Sequence, residues 1–433
     1  MPDSAPPKRL SVPAALPRLF WEWFKISLFV VGGGYAIIIA ADDVFGRRLK
    51  WLREGELMDR LPVFQMIPGL IAGNSAIYTG LRVAGFAGAA ISLVAVALPS
   101  FAIILAIAHG YSSLPMDAPL LQGAFLGLRG VLTGIVLGTM LASWRRVLRG
   151  AYAWCAFAAG CVALEVFGAD PGAVLLCGMG FGTVSECASH LLRRRRAAEA
   201  ATAADATPGE SSASSGDSDV SRGIPEVVTA TDMRRLPIAA AAALAAAALQ
   251  PAIFLTFAKF GLLCFGGGNV LVPLYLQTFV GPNAPMLQLP AHDFGNLLAV
   301  TQATPGPVSV NAATFFGYRL SGALGSFVAT AGLLAPSFFL LVSALRSLVK
   351  WRTNPAVKGL LWGVAPATMC LMASAVVTFA RMSAFAGGRL RPVAALLVAA
   401  STWAVAGRKA GIMRLVVIGG AVGLLCAALG LPG

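Results

Sequence analysis

The chain has 433 residues, of which 57% are hydrophobic and only 12% charged, about half the charged share of an ordinary soluble domain. Long apolar runs separated by short basic loops exclude a soluble globular domain. They fit a polytopic α-helical membrane protein, in which each span takes about 20 apolar residues. The formal charge of +14 sits in loops beside the apolar runs, where it sets orientation in a bilayer and does not require nucleic acid as a partner.

The N-terminal stretch "MPDSAPPKRL" leads into an apolar run without a small-residue cleavage site, so no cleaved signal peptide is expected. The seven cysteines form no CxxC pair and read as small buried hydrophobes. The three histidines, His109, His190 and His292, lack metal-ligand spacing. No phosphate-binding loop, nucleophile elbow or dinucleotide fingerprint is present. The expectation is therefore a non-enzyme with no cofactor and no metal.

In chain order, the first half offers apolar segments near 20–41, 61–80, 83–109, 120–143, 151–168 and 171–191. A polar, low-complexity stretch at 193–237 follows and reads as a flexible linker. The second half offers segments near 251–280, 294–317, 320–346, 357–380, 392–407 and 411–431. The expected organisation is a repeat at 1–192, the linker at 193–237 and a second repeat at 238–433.

The halves match. "FKISLFVVGGGYA" and "FAKFGLLCFGGGNV" pair Lys25 with Lys259 and Gly32, Gly33 and Gly34 with Gly266, Gly267 and Gly268. After a three-residue insertion, Glu56 pairs with Asp293, Gln65 with Gln302, Pro68 with Pro305, Gly69 with Gly306, Asn74 with Asn311 and Arg82 with Arg319. A "PSF" triplet at 99–101 recurs at 336–338. The second segment of each half is interrupted by Pro-Gly, which breaks a helix and survives at membrane depth only beside protein or a water-filled cavity.

The basic loops give an orientation. The loop at 42–60 carries Arg47, Arg48, Lys50, Arg53 and Arg60, whereas its counterpart at 281–293 carries no Lys or Arg. The loop at 110–119 carries none, whereas its counterpart carries Arg346, Lys350, Arg352 and Lys358. Such a reversal is what inverted repeats show. It needs about five crossings per half plus a Pro-Gly segment that dips in and returns. The linker would then be cytoplasmic and both termini outside. Lys8, Arg9, Arg18, Arg381, Arg389 and Arg391 oppose this arrangement, since it leaves them outside.

A broken helix exposes N–H groups with partial positive charge, a ready anion site. The glycine triplets either add N–H donors beside a substrate or serve close helix packing. Lys25 and Lys259 either supply positive charge to a dianion or snorkel to an interface. Gln65, Asn74, Gln302 and Asn311 either donate to oxyanion oxygens or satisfy the broken backbone. Arg82 and Arg319 line a vestibule or anchor helix ends, and Glu56 and Asp293 are coupling candidates or loop carboxylates.

With these motifs on both halves, the chain resembles the chromate ion transporter family in its long, two-domain form. The resemblance rests on the two triplet motifs, on "PGLIAGNSAIYTGLRVAGFAGA" and "TPGPVSVNAATFFGYRLSGALGS", and on the "LPSF" and "APSF" that follow. The first half departs from the pattern at Val31 and Leu70, where the family has phenylalanine and proline. The resemblance implies export of chromate across the cell (inner) membrane and chromate resistance, with sulfate as a competing ion, and leaves a homodimer open. A carrier of sulfate or another tetrahedral oxyanion and a membrane-bound chromate reductase are the alternatives; the latter needs a redox group for which the sequence shows no motif.

Overall fold

The computed structural model describes residues 12–30, 34–111, 113, 118–202, 238–265, 268–282, 284–344, 354–385, 391–407 and 411–430. Among them the first half forms α1 (Val12–Phe29), α2 (Gly34–Asp42), α3 (Glu56–Asp59), α4 (Leu61–Met66), α5 (Ile71–Tyr111), α6 (Pro119–Val147), α7 (Gly150–Glu165) and α8 (Pro171–Thr202). The second half forms α9 (Ile238–Leu263), α10 (Val272–Phe279), α11 (Ala291–Ala303), α12 (Val308–Ala344), α13 (Pro355–Ser383), α14 (Pro392–Ala406) and α15 (Ile412–Ala428). Five of these helices are long and apolar enough to cross a membrane. Large apolar side chains such as Phe167, Val184 and Leu396 stand exposed on the outside, as lipid-facing residues do. The protein is an all-α, multi-pass membrane protein built from two repeats.

The first segment of each half is not one crossing. The helix stops at Phe29, and a new one opens at Gly34. The rings of Trp23 and Phe45 lie 5.2 Å apart, whereas a continuous helix would hold them about 33 Å apart at 1.5 Å per residue. The chain therefore turns back between Phe29 and Gly34. The second half does the same: Phe257 lies 5.9 Å from Phe279, and Phe260 lies 5.0 Å from Tyr275. Glycine-rich stretches are weak helix formers, and the buried aromatics of the two arms close on each other instead.

The Pro-Gly segments also dip and return. Between α4 and α5 the chain breaks at residues 67–70. The Tyr78 hydroxyl, on the outgoing arm, donates to Glu56, which precedes the incoming one. Arg82 approaches the same carboxylate at 3.5 Å. Phe294 and Phe316 close the second hairpin in the same way, 5.8 Å apart. Beyond each hairpin α5 and α12 bend sharply at Gly85 (φ 65°) and Gly322 (φ 59°). The Ser326 hydroxyl donates to the Thr314 carbonyl across the second bend at 2.9 Å, so the limbs run antiparallel.

These contacts fix the relation between the halves. The second limb of α5, residues 86–111, starts at the base of the first hairpin. It ends with Tyr111 against Phe315, 5.3 Å apart, and His109 hydrogen-bonded to Tyr318 at 2.9 Å. Phe315 and Tyr318 belong to the base of the second hairpin. The two bases thus lie on opposite faces of the molecule, one limb of about 39 Å apart. The repeats are inverted, as the loop charges indicate. One face carries Glu56; the other carries Asp293.

Arg18 stacks over Trp51, 5.9 Å from its ring, so α1 begins on the Glu56 face together with the loop at 42–60. The expectation that the N-terminus lies opposite that loop is corrected: the first segment returns, which removes one crossing. Gly123 packs on Gly423 and Gly127 on Gly419, so α15 runs antiparallel to α6 and ends on the Asp293 face. Gly178 and Gly182 pack on Gly363 and Gly359, which carries α8 to the Glu56 face. Gln250 of α9 bonds Ser321 at 2.7 Å on the Asp293 face. The helix of α8 continues to Thr202; residues 203–237 of the expected linker lie outside the described residues.

Candidate functional site

Four breaks converge near the centre: two at the glycine triplets and two at Pro-Gly. Gly32, Gly33, Gly266 and Gly267 lie outside the described residues. Gly34 opens α2, and Gly268 opens a 3-10 turn over Gly268–Leu271. A Cβ on Gly268 would lie 2.5 Å from the Ser309 hydroxyl, so Gly268 rests on the first turn of α12. Gln302 donates to Asn269 from the incoming arm of the Pro-Gly hairpin. The two broken hairpins of the second half are thereby tied together.

Each Pro-Gly apex meets the other half. Gly306 has φ +94°, and a Cβ there would overlap the Ser100 hydroxyl and come 3.4 Å from that of Ser27. Ser100 donates to the Pro305 carbonyl at 3.2 Å, and Ser27 to the Val96 carbonyl at 2.6 Å. Gly69 has φ +116°, and a Cβ there would overlap Ser337. Its N–H donates to the Cys264 carbonyl at 2.7 Å, just before the second triplet. Ser100 and Ser337 are the serines of the two "PSF" triplets. The positive φ and the close approach both demand glycine.

The asparagines act on the backbone. Asn74 donates to the carbonyls of Phe64 and Ile67 at 3.0 and 3.1 Å. Asn311 donates to those of Thr301 and Thr304 at 2.9 and 3.2 Å. Both are fully buried. The broken helix leaves carbonyls without partners, and each asparagine covers two of them. Their N–H donors are thus engaged, which corrects the reading of Asn74 and Asn311 as oxyanion donors. Gln65 and Pro68 stand half-buried near the first apex, and Pro305 contributes its carbonyl to Ser100.

The charged candidates lie elsewhere. Lys25 pairs with Glu22 at 2.9 Å and sits over the exposed ring of Trp21, in keeping with an interfacial lysine. Lys259 is exposed, and its stem runs along Gly172 at the start of α8. Glu56 is 8% exposed and accepts from the Arg53 N–H at 3.0 Å as well as from Tyr78; it clasps the hairpin base, and Arg82 is exposed beside it. Asp293 faces His292 at 3.4 Å in the first turn of α11, and Arg319 is exposed at the base of the second hairpin.

Sequence reasoning missed the serines Ser27, Ser100, Ser309 and Ser337 as apex partners. The repetition of "PSF" held the signal for two of them. It also missed Arg129, an arginine inside the apolar segment at 120–143. It lines a cavity of about 1570 Å³ that opens on the Asp293 face together with Arg381 and Arg391. Those last two arginines, which oppose the charge rule, have a place there.

Among the described residues the arrangement joins broken helices, hydroxyls and exposed N-terminal turns without a metal cluster. A model of the chromate transporter family matches residues 17–183 and 251–424, one stretch in each half. A probable chromate transport protein of Synechococcus elongatus is 24% identical over 85% of this chain and 86% of its own length. A chromate transport protein of Pseudomonas aeruginosa is 24% identical over 86% of this chain and 83% of its own. The uncharacterized transporter YwrA of Bacillus subtilis is 31% identical over 120 residues, 28% of this chain and 66% of its own. No solved structure matches. With both halves covered, the chain belongs to the chromate transporter family.

Proposed function

We propose that the chain exports chromate from the cytoplasm through the inner membrane and so confers resistance to it. The observation that carries this reading is the meeting of inverted, broken hairpins from both faces at one central place. Broken helices at mid-depth are how membrane carriers hold ions while access alternates between the two sides. At the apices the hydroxyls of Ser27, Ser100 and Ser337 donate to backbone carbonyls, and the N-terminal turns of α2, α5, α10 and α12 offer N–H donors with partial positive charge. A tetrahedral oxyanion suits such donors.

The Glu56 face is the cytoplasmic one on this reading. It carries Arg47, Arg48, Lys50, Arg53 and Arg60, as the positive-inside rule requires, and Arg18 joins them. Leaving a negative interior through 100 mV is worth about 4.6 kcal/mol to a dianion. That sustains a gradient above roughly a thousandfold. Export therefore needs no ATP and runs on membrane potential or a proton gradient, with sulfate as a competitor of the same shape and charge.

Labelled-chromate flux in proteoliposomes tests this, with potential and pH gradient imposed separately. Flux driven by potential alone supports electrogenic export. Flux that follows only the pH gradient replaces it with proton exchange, and no chromate flux at all sinks the reading.

A further inference from the structure

The cavity on the Asp293 face holds three arginines, and they are not equivalent. Arg381 faces Glu165 at 3.8 Å, and the other oxygen of Glu165 accepts from Ser374 at 2.7 Å. Its charge is answered. Arg129 and Arg391 have no carboxylate within 4 Å among the described residues. Asp293, in the same wall, faces His292.

Arg129 belongs to a membrane-crossing helix, where an unanswered charge is costly and marks an ion path. Its Nε and Nη1 reach the Phe125 and Met382 carbonyls at 3.3 and 3.4 Å, which leaves further N–H groups of the five free to bind. Room for its stem is built in: a Cβ on Gly295 would lie 3.0 Å from Arg129 Cδ. Arg391 is the N-cap residue of α14. One turn later Ala394 packs on Gly130, 3.3 Å from its Cβ position, so the two arginines stand on touching backbones. The uncapped first turn of α14 adds partial positive charge between them.

We propose that Arg129 and Arg391 form a dianion site in this cavity, which takes a tetrahedral oxyanion such as chromate or sulfate between two guanidinium groups. Two like charges without a carboxylate repel each other until a dianion joins them. Planar N–H forks match the edges of a tetrahedral oxyanion. The site rests on the transport reading above and deepens it: it is the holding place on the exit side, separate from the neutral apices. Arg129 has no counterpart in the second half, where Ala365 stands at the matching position. The transporter is therefore asymmetric in its handling of charge.

Cys426 lines the same cavity and provides a native reporter. In detergent-solubilised full-length protein, sulfate should slow the labelling of Cys426 by a membrane-impermeant maleimide, with Cys426→Ser identifying the signal. Arg391→Gln and Arg129→Gln should each raise the sulfate concentration needed for half-protection by about ten- to hundredfold. Arg129→Lys should recover part of the loss. Arg391 sits at the cavity rim, so its variant keeps the test open if Arg129→Gln fails to fold. In proteoliposomes the same variants should raise the half-saturating chromate concentration. Unchanged protection and unchanged half-saturation in folded Arg391→Gln overturn the site. Protection that depends on both arginines without wild-type chromate flux keeps the site and overturns the transport reading.

Discussion

Gly306 of the second half lies against Ser100 of the first, so closely that no side chain fits between them. Its symmetry mate repeats the contact, with Gly69 against Ser337. Gly306→Ala must therefore push on a serine that holds the Pro305 carbonyl, and it also places a Cβ at φ +94°. Strain of this kind costs about 1–3 kcal/mol. The variant should lose thermal stability and chromate flux together. Ser100→Gly in the same chain should restore part of both by making room. A double variant no better than the single one would show that backbone strain alone is at work.

Asn74 and Asn311 predict a matched pair of losses. Each covers two carbonyls of its broken helix, and a hydrogen bond is worth about 1 kcal/mol net. Asn74→Leu and Asn311→Leu should each destabilise by about 2 kcal/mol or more, and by similar amounts. Asn311→Asp should be no milder, because a carboxylate faces the same two carbonyls without a donor. Chemical or thermal unfolding in detergent measures this. A stable Asn311→Asp with altered chromate affinity would return the residue to the substrate.

Much of this was legible in the chain, and the reasons are local. A Pro-Gly pair and three glycines interrupt a helix whatever surrounds them, so the positions of the breaks follow from residue type. The reversed loop charges around Arg47 and Lys358 carry the inversion in the same way. What the glycines do after interrupting a helix is decided by packing between distant segments. Trp23 closing on Phe45 turned an expected crossing into a hairpin, and nothing near Gly34 encodes that partner. The asparagines show the same limit: Asn74 can donate to an oxyanion or to a carbonyl, and only the course of α4 decides which.

The lysines separate by environment. Lys25 has its charge answered by Glu22 beside an exposed Trp21. Lys25→Gln should change the half-saturating chromate concentration less than about twofold, in line with the small worth of a surface ion pair. A loss of tenfold or more would bring Lys25 back to the ion path. Flux assays across a chromate series decide.

The hairpin bases predict opposite labelling. Arg48 is exposed on the Glu56 face, and His292 is exposed on the Asp293 face. In right-side-out cells, an impermeant maleimide should reach His292→Cys and leave Arg48→Cys unlabelled until the membrane is opened. Labelling of both from one side contradicts inverted repeats.

The crossed glycine–serine contacts bear on how such a chain is inherited. A half made alone has an apex glycine with nothing to lean on and a serine with no apex to hold. Neither piece is a smaller working copy of the whole. Cut within 203–237 and expressed from two genes, the pieces should complement each other in one cell and fail singly. Duplication here did not add a second, redundant unit. It made each unit the missing wall of the other, so the two sequences are free to drift apart only along surfaces that do not meet.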